Sequence, residues 1–175
     1  RPALPPDTCS RRRDTDEGNR LRIRERLEQM GLSLPAAFVY PSANRTGCVV
    51  TGNLVYTSGH PPPEDFGNIV HGKVGAEVNE EDAYAAARAT ALSILSSVEN
   101  ELGSLDRITQ VAKVYGMVNS APGFARQFAV IDGASDLFHE VFGPEAGRHA
   151  RSAVGMFELP RGFCMEIEAI FELGG

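Results

Sequence analysis

Apolar positions along the chain change period several times, and each change marks an element. From Arg20 to Met30, charges alternate with Leu21, Ile23, Leu27 and Met30 at near-helical spacing, and Gly31 is a natural stop, which predicts a short amphipathic helix. Residues 32–44, with Pro35 and Pro41, read as an extended connector. Cys48-Val49-Val50 and Leu54-Val55-Tyr56-Thr57 flank Gly52-Asn53, the pattern of a β-hairpin. Pro61-Pro62-Pro63 and several glycines make residues 58–71 a surface loop outside any regular ladder. At Asn79 the period becomes helical. Asn79 can cap a helix whose first turn carries Glu80, Glu81 and Asp82, with Tyr84, Ala87, Ala91, Leu95 and Val98 down one stripe and an end at Gly103. Ile108 to Val118 is rich in valine and aromatic residues and reads as a strand, and Asn119 to Gly123 as a turn. Phe124 to Phe142 is a second helical segment, weakened midway by Asp132-Gly133-Ala134-Ser135.

The last third of the domain reads as a second hairpin: His149 to Met156, a Leu159-Pro160-Arg161-Gly162 break, then Cys164 to Ile170. Alternate side chains on a strand point to opposite faces. Ser152, Val154 and Met156 therefore share one side, and Arg151, Ala153 and Gly155 the other. In the second strand Met165, Ile167, Ala169 and Phe171 form an apolar row opposite Cys164, Glu166 and Glu168. Matching the two apolar rows puts Arg151 and both carboxylates on one exposed sheet face, because a one-residue slip would bury the charges.

The order β, β, α, β, α, β, β is most simply satisfied by an α+β fold, a mixed sheet with two helices packed on one side. Its other face, carrying Ile170 and Phe157 among the charges, is large enough to need a partner, which predicts a homo-oligomer whose sheets face each other. With 175 residues and 42% hydrophobic content, the chain fits one core plus a tail: a flexible segment 1–19, a helix and connector over 20–44, and the domain over 45–175.

Charge and cysteine usage narrow the function classes. The net charge of -6 is uneven: residues 1–30 carry eight arginines against six acids, so the body is the acidic part. An acidic body disfavours nucleic acid as partner. Cys9, Cys48 and Cys164 are too few and scattered for a disulfide framework, which suits a reducing compartment such as the cytoplasm. A mitochondrial or other organellar location follows only if the Arg-rich tail is the remnant of a transit peptide, against which Asp7, Asp14, Asp16 and Glu17 weigh. No run has the length of a membrane helix, and four dispersed histidines with no paired spacing give no metal signature.

The segments Thr51 to His60, the helix after Asn79, the strand ending at Asn119, Arg151-Ser152-Ala153-Val154, Leu159-Pro160 and Met165 to Ile170 resemble the RidA/YjgF family, also labelled endoribonuclease L-PSP, over roughly residues 40–173. That resemblance implies a chorismate-mutase-like fold and a homotrimer with clefts between subunits. It further implies cofactor-free hydrolysis of reactive enamines and imines bearing a carboxylate, giving a 2-oxo acid and ammonia. By the same resemblance Arg151 holds the substrate carboxylate, Glu166 positions or activates water, and Gly59 supplies a backbone contact. A guanidinium suits the first task, because it binds a carboxylate through two parallel hydrogen bonds.

This chain departs from the catalytic subgroup at several positions of that cleft. Arg45 falls where the family has a tyrosine, Ala153 where it has a cysteine, Ser135 near its asparagine and His60 in place of its glutamine. His149, two residues before Arg151, is a further candidate for lining the cleft. Arg151 could instead serve as an interface ion pair with Glu168, Glu168 reads as structural, and Cys48 and Cys164 read as small buried groups. Three functions remain: the imine hydrolase, a non-catalytic small-carboxylate-binding or regulatory trimer, and, lowest, an endoribonuclease.

Overall fold

The computed structural model describes residues 22–37, 39–40, 42–67 and 70–174; the expected tail, Leu21 and Pro41 lie outside them. Strands β1 (Cys48–Thr51), β2 (Leu54–Thr57), β3 (Ile108–Asn119), β4 (Ala150–Met156) and β5 (Met165–Leu173) form one mixed sheet in the order β1-β2-β5-β3-β4. Helices α2 (Glu80–Leu102) and α3 (Gln127–Ala146) pack on one face, and the short α1 (Ile23–Gln29) sits against α3.

Local chemistry explains most of these boundaries. The Asn79 side chain accepts a hydrogen bond from the Asp82 amide at 2.8 Å, and the three carboxylates expected in the first turn face the positive end of α2. Gly103 ends that helix in the left-handed region, at φ 78. Gly52 turns β1 into β2 at φ 58, with Val49 opposite Tyr56 and Val50 opposite Val55. The buried stripe of α2 is largely alanine, which lets α3 approach closely. At Gly133 an added methyl would strike the Tyr84 carbonyl. Behind the two helices, Phe138 and Phe171 meet edge to face with centroids 5.7 Å apart, and Phe142 completes the cluster.

Two expectations are overturned. Residues 149–170 are not a hairpin, because β3 lies between β4 and β5. It pairs with β4 in parallel, Val114 to Arg151 and Met117 to Val154, and with β5 antiparallel, Val114 to Ala169 and Met117 to Glu166. A parallel pair needs a long crossover, and α3 is that crossover. Facing rows are therefore set through β3, and the parity of β4 is the reverse of the one expected. Arg151 and Ala153 lie on the helix face with Val114, Gly116, Ile167 and Ala169; Ser152 and Val154 lie on the open face with Tyr115, Met117, Glu166 and Glu168. Small side chains make this parity possible. At Gly155 a methyl would come within 2.8 Å of the Gln127 amide nitrogen, so α3 and its lead-in occupy the space a larger row would fill.

The second correction concerns α3. It runs through Asp132–Ser135 without a break, because Gly133 is held against α2 and not exposed to solvent. The non-helical residue is Gly143, at φ 84, immediately before Pro144.

Candidate functional site

Two clusters emerge, one on each face of the sheet. On the helix face, edge strand β4 presents Arg151 to α3. Its Nη1 donates to Asp132 Oδ1 at 2.6 Å and to Ser135 Oγ at 3.0 Å. Asp132 and Ser135 stand one helical turn apart, so both reach the same side of α3. His149 continues the chain of bonds. Its Nδ1 lies 2.7 Å from the Gly147 carbonyl and must donate there, so in the neutral ring Nε2 accepts from the Ser135 hydroxyl at 3.0 Å. Burial first, then the charge of Arg151, lowers the His149 pKa against the opposing pull of the Gly147 carbonyl, which favours that neutral ring. Ala153 follows Arg151 on the same face. Arg151, Ser135, His149 and Ala153 thus come together as expected candidates, and Asp132 joins them.

On the open face, β5 presents Glu166. Burial, reinforced by the neighbouring charge of Glu168, pushes its carboxyl above the usual range. No described residue forms an ion pair with it. Its Oε2 packs on Gly59, where an added methyl would sit 2.9 Å away, so glycine here keeps the carboxylate close to backbone. The Tyr40 hydroxyl donates to the Gly59 carbonyl at 3.1 Å, and the Arg45 guanidinium lies 5.8 Å from the Tyr40 ring centre. Along the same face, Tyr56, Lys113, Tyr115, Glu168 and Ile170 border a hollow of about 250 Å³. Phe157, just beyond β4, is 87% exposed.

A carboxylate with a raised pKa can take a proton from water nearer neutrality than an ordinary glutamate. An arginine held in place by two hydrogen bonds can bind a ligand carboxylate. Within one chain these groups cannot act on one small molecule. They lie on opposite faces and are offset by three register positions along β3, about 10 Å.

His60, expected to line the cleft, is fully buried: Nδ1 donates to the Ser58 carbonyl at 2.7 Å and Nε2 accepts from Ser97 on α2 at 2.8 Å. It bridges to Ile167, whose side chain faces the helices, and so is turned away from Glu166. Burial lowers its pKa. Arg45 is exposed, and among the described residues it reaches the open-face cluster through Tyr40. Cys48 and Cys164 are buried, their thiols pushed up to about 11 and about 12 by desolvation, so neither is an activated nucleophile. Among the described residues no three His, Cys, Asp or Glu side chains are placed to share a metal ion.

A five-stranded mixed sheet with two covering helices, an arginine-centred cluster on one face and an acidic one on the other, is a chorismate-mutase-like α+β domain. The chain belongs to the family described as "YjgF/chorismate mutase-like, putative endoribonuclease", whose profile matches residues 24–165. It is 43% identical to Protein TCP17 of Trypanosoma cruzi over 152 residues, 87% of this chain and 94% of that protein. The crystal structure of Atu1372 from Agrobacterium tumefaciens, a protein of unknown function, is also 43% identical and superposes with a TM-score of 0.78 over 87% of this chain and 92% of its own. A Shewanella oneidensis protein described as a "putative endoribonuclease" is 29% identical, with a TM-score of 0.82 over 87% of this chain and all of its own.

Proposed function

We propose that this chain acts as a homotrimer in which the Arg151 cluster of one copy meets the Glu166 cluster of the next, forming a cofactor-free site that hydrolyses enamines or imines bearing a carboxylate. The observation that carries this reading is the division of the two groups between opposite faces, since a single chain holds only fragments of such a site. The partly apolar open face, with Tyr56 and Val49 exposed and Ile170 half-buried, supports association through it. In the reaction Arg151 holds the carboxylate while Glu166 takes a proton from water as its oxygen bonds to the imine carbon. Glu166 then returns that proton to the nitrogen of the carbinolamine, and as the new hydroxyl passes its own proton to Glu166 the C–N bond breaks, releasing ammonia and leaving the 2-oxo acid.

A second reading is a non-catalytic oligomer that binds small carboxylates. The Arg151–Asp132 ion pair favours it, because the guanidinium already has an anionic partner. The endoribonuclease description of the relatives finds less support here, since Glu166 and Glu168 make the open face acidic and Lys113 is the cation beside its hollow.

Ammonia release from enzymatically generated 2-aminoacrylate, and from imines of bulkier amino acids, tests the hydrolase. Arg151→Ala and Glu166→Gln, each checked for folding and assembly, should lose about a hundredfold or more. Mixed oligomers of the two variants should regain part of the rate, because one interface in the ring keeps both native groups. Mixed oligomers as inactive as either parent would defeat the shared site. Imine decay unchanged by the native chain would defeat the hydrolase and leave the binding role.

A further inference from the structure

Arg151 offers a ligand more than a positive charge, because the ion pair it makes is exposed on one side. Both of its bonds leave from Nη1, to Asp132 and to Ser135. Among the described residues nothing takes Nε or Nη2, nor Asp132 Oδ2. The Arg151 side chain is 24% exposed and that of Asp132 44%, so solvent reaches both members of the pair.

A carboxylate docking on the free edge of the guanidinium would leave the existing pair intact and lie beside a second carboxylate. A bare anion meets a site whose charge is already balanced, and it is repelled at short range by Asp132. A ligand with a cationic nitrogen on the carbon next to its carboxylate meets the reverse situation, since the nitrogen reaches Asp132 while the carboxylate reaches Arg151. Ser135 cannot take over the role of Asp132. Its hydrogen is committed to His149 Nε2 and its oxygen already accepts from Arg151, while His149 Nδ1 is tied to Gly147. His139, the other titratable group that His149 senses, is exposed on the outer side of α3.

We infer that Asp132 is a specificity residue, selecting ligands in which an ammonium or iminium nitrogen adjoins the carboxylate over simple carboxylates. This rests on Arg151 as the carboxylate anchor of the proposed function, and it makes the protonated imine the form of substrate bound.

L-Alanine and propionate differ only in the α-ammonium, so their affinities isolate the effect. Titrating each into the full chain by NMR, the native protein should bind alanine about two- to fivefold more tightly, the range of a partly exposed ion pair. Asp132→Asn, folded by melting curve, should bring the ratio to about one or invert it, chiefly by tightening propionate. A purely structural role for Asp132 would weaken both ligands together and leave the ratio unchanged, which would overturn the inference. Equal native affinities, or no binding of either ligand up to its solubility, would overturn it without any variant. Arg151→Ala should weaken both ligands. If it weakens neither, the anchor itself fails; if it weakens both while the native ratio is one, the anchor stands and only the role of Asp132 falls.

Discussion

The Arg151 and Glu166 regions share a sheet but solve opposite problems. Around Arg151 every polar atom that faces inward is paired: guanidinium to carboxylate and hydroxyl, hydroxyl to imidazole, imidazole to backbone carbonyl. Around Glu166 a carboxylate is partly buried against a glycine and raised in pKa, with another acid as its charged neighbour. The first region pairs its buried polar atoms in a network that holds a charge in place. The second stores an unfavourable charge, and such a group is the one poised to exchange a proton.

The largest break in this contrast should come from Gly133→Ala, although it touches neither charged group. The added methyl meets the Tyr84 backbone, so α2 and α3 must separate, at a cost of about 2–3 kcal/mol. A melting temperature lowered by about 6 °C or more is expected, with weaker ligand binding at Arg151 but an unchanged Glu166 titration by NMR. If Glu166 moves as well, the two regions are not independent. Ser135→Ala should cost about 1 kcal/mol in denaturant unfolding, because His149 Nε2 loses its donor and Arg151 one acceptor.

The smallest effect should have the opposite sign. Since the Glu166 pKa is raised in the folded chain, its contribution to stability is fully present below the unfolded carboxylate range, about pH 4, and is lost as pH rises through the raised value. Glu166→Gln should therefore melt about 2 °C higher than native at pH 7, a gain kept small by partial exposure, and the gain should vanish toward pH 4. A loss of stability at pH 7 would mean that Glu166 is stabilised by contacts the geometry does not contain.

How far the sequence could anticipate this depends on the range of each signal. The Asn79 cap, the Gly103 stop and the Gly52-Asn53 turn are local, and the structure has all three. The parity of β4 is not local. It depends on β3 entering between two strands that are close in sequence, and the apolar Val154 and Met156 suggested the wrong face. Asp132 was read as part of a helix interruption, yet its spacing of three from Ser135 was a signal that both share a helical face. Tyr40 sits in a proline-flanked connector with no periodicity, and nothing in the pattern ties it to Gly59, 19 residues on. His60 was placed by its neighbour Gly59, but adjacent residues in extended chain point opposite ways, and it went to the core.

The place of β5 has a consequence for how the chain comes to be folded. It is the last of the five strands to be synthesised, yet it lies in the middle of the sheet, between β2 and β3. A nascent chain that has emerged only as far as β4 holds two partial sheets, each with an open edge that must wait for its partner. Met165 to Leu173 zips them together, so the acidic half of the site and the completed sheet arrive in one late event, while the arginine half can assemble earlier from the contiguous β3–α3–β4 unit.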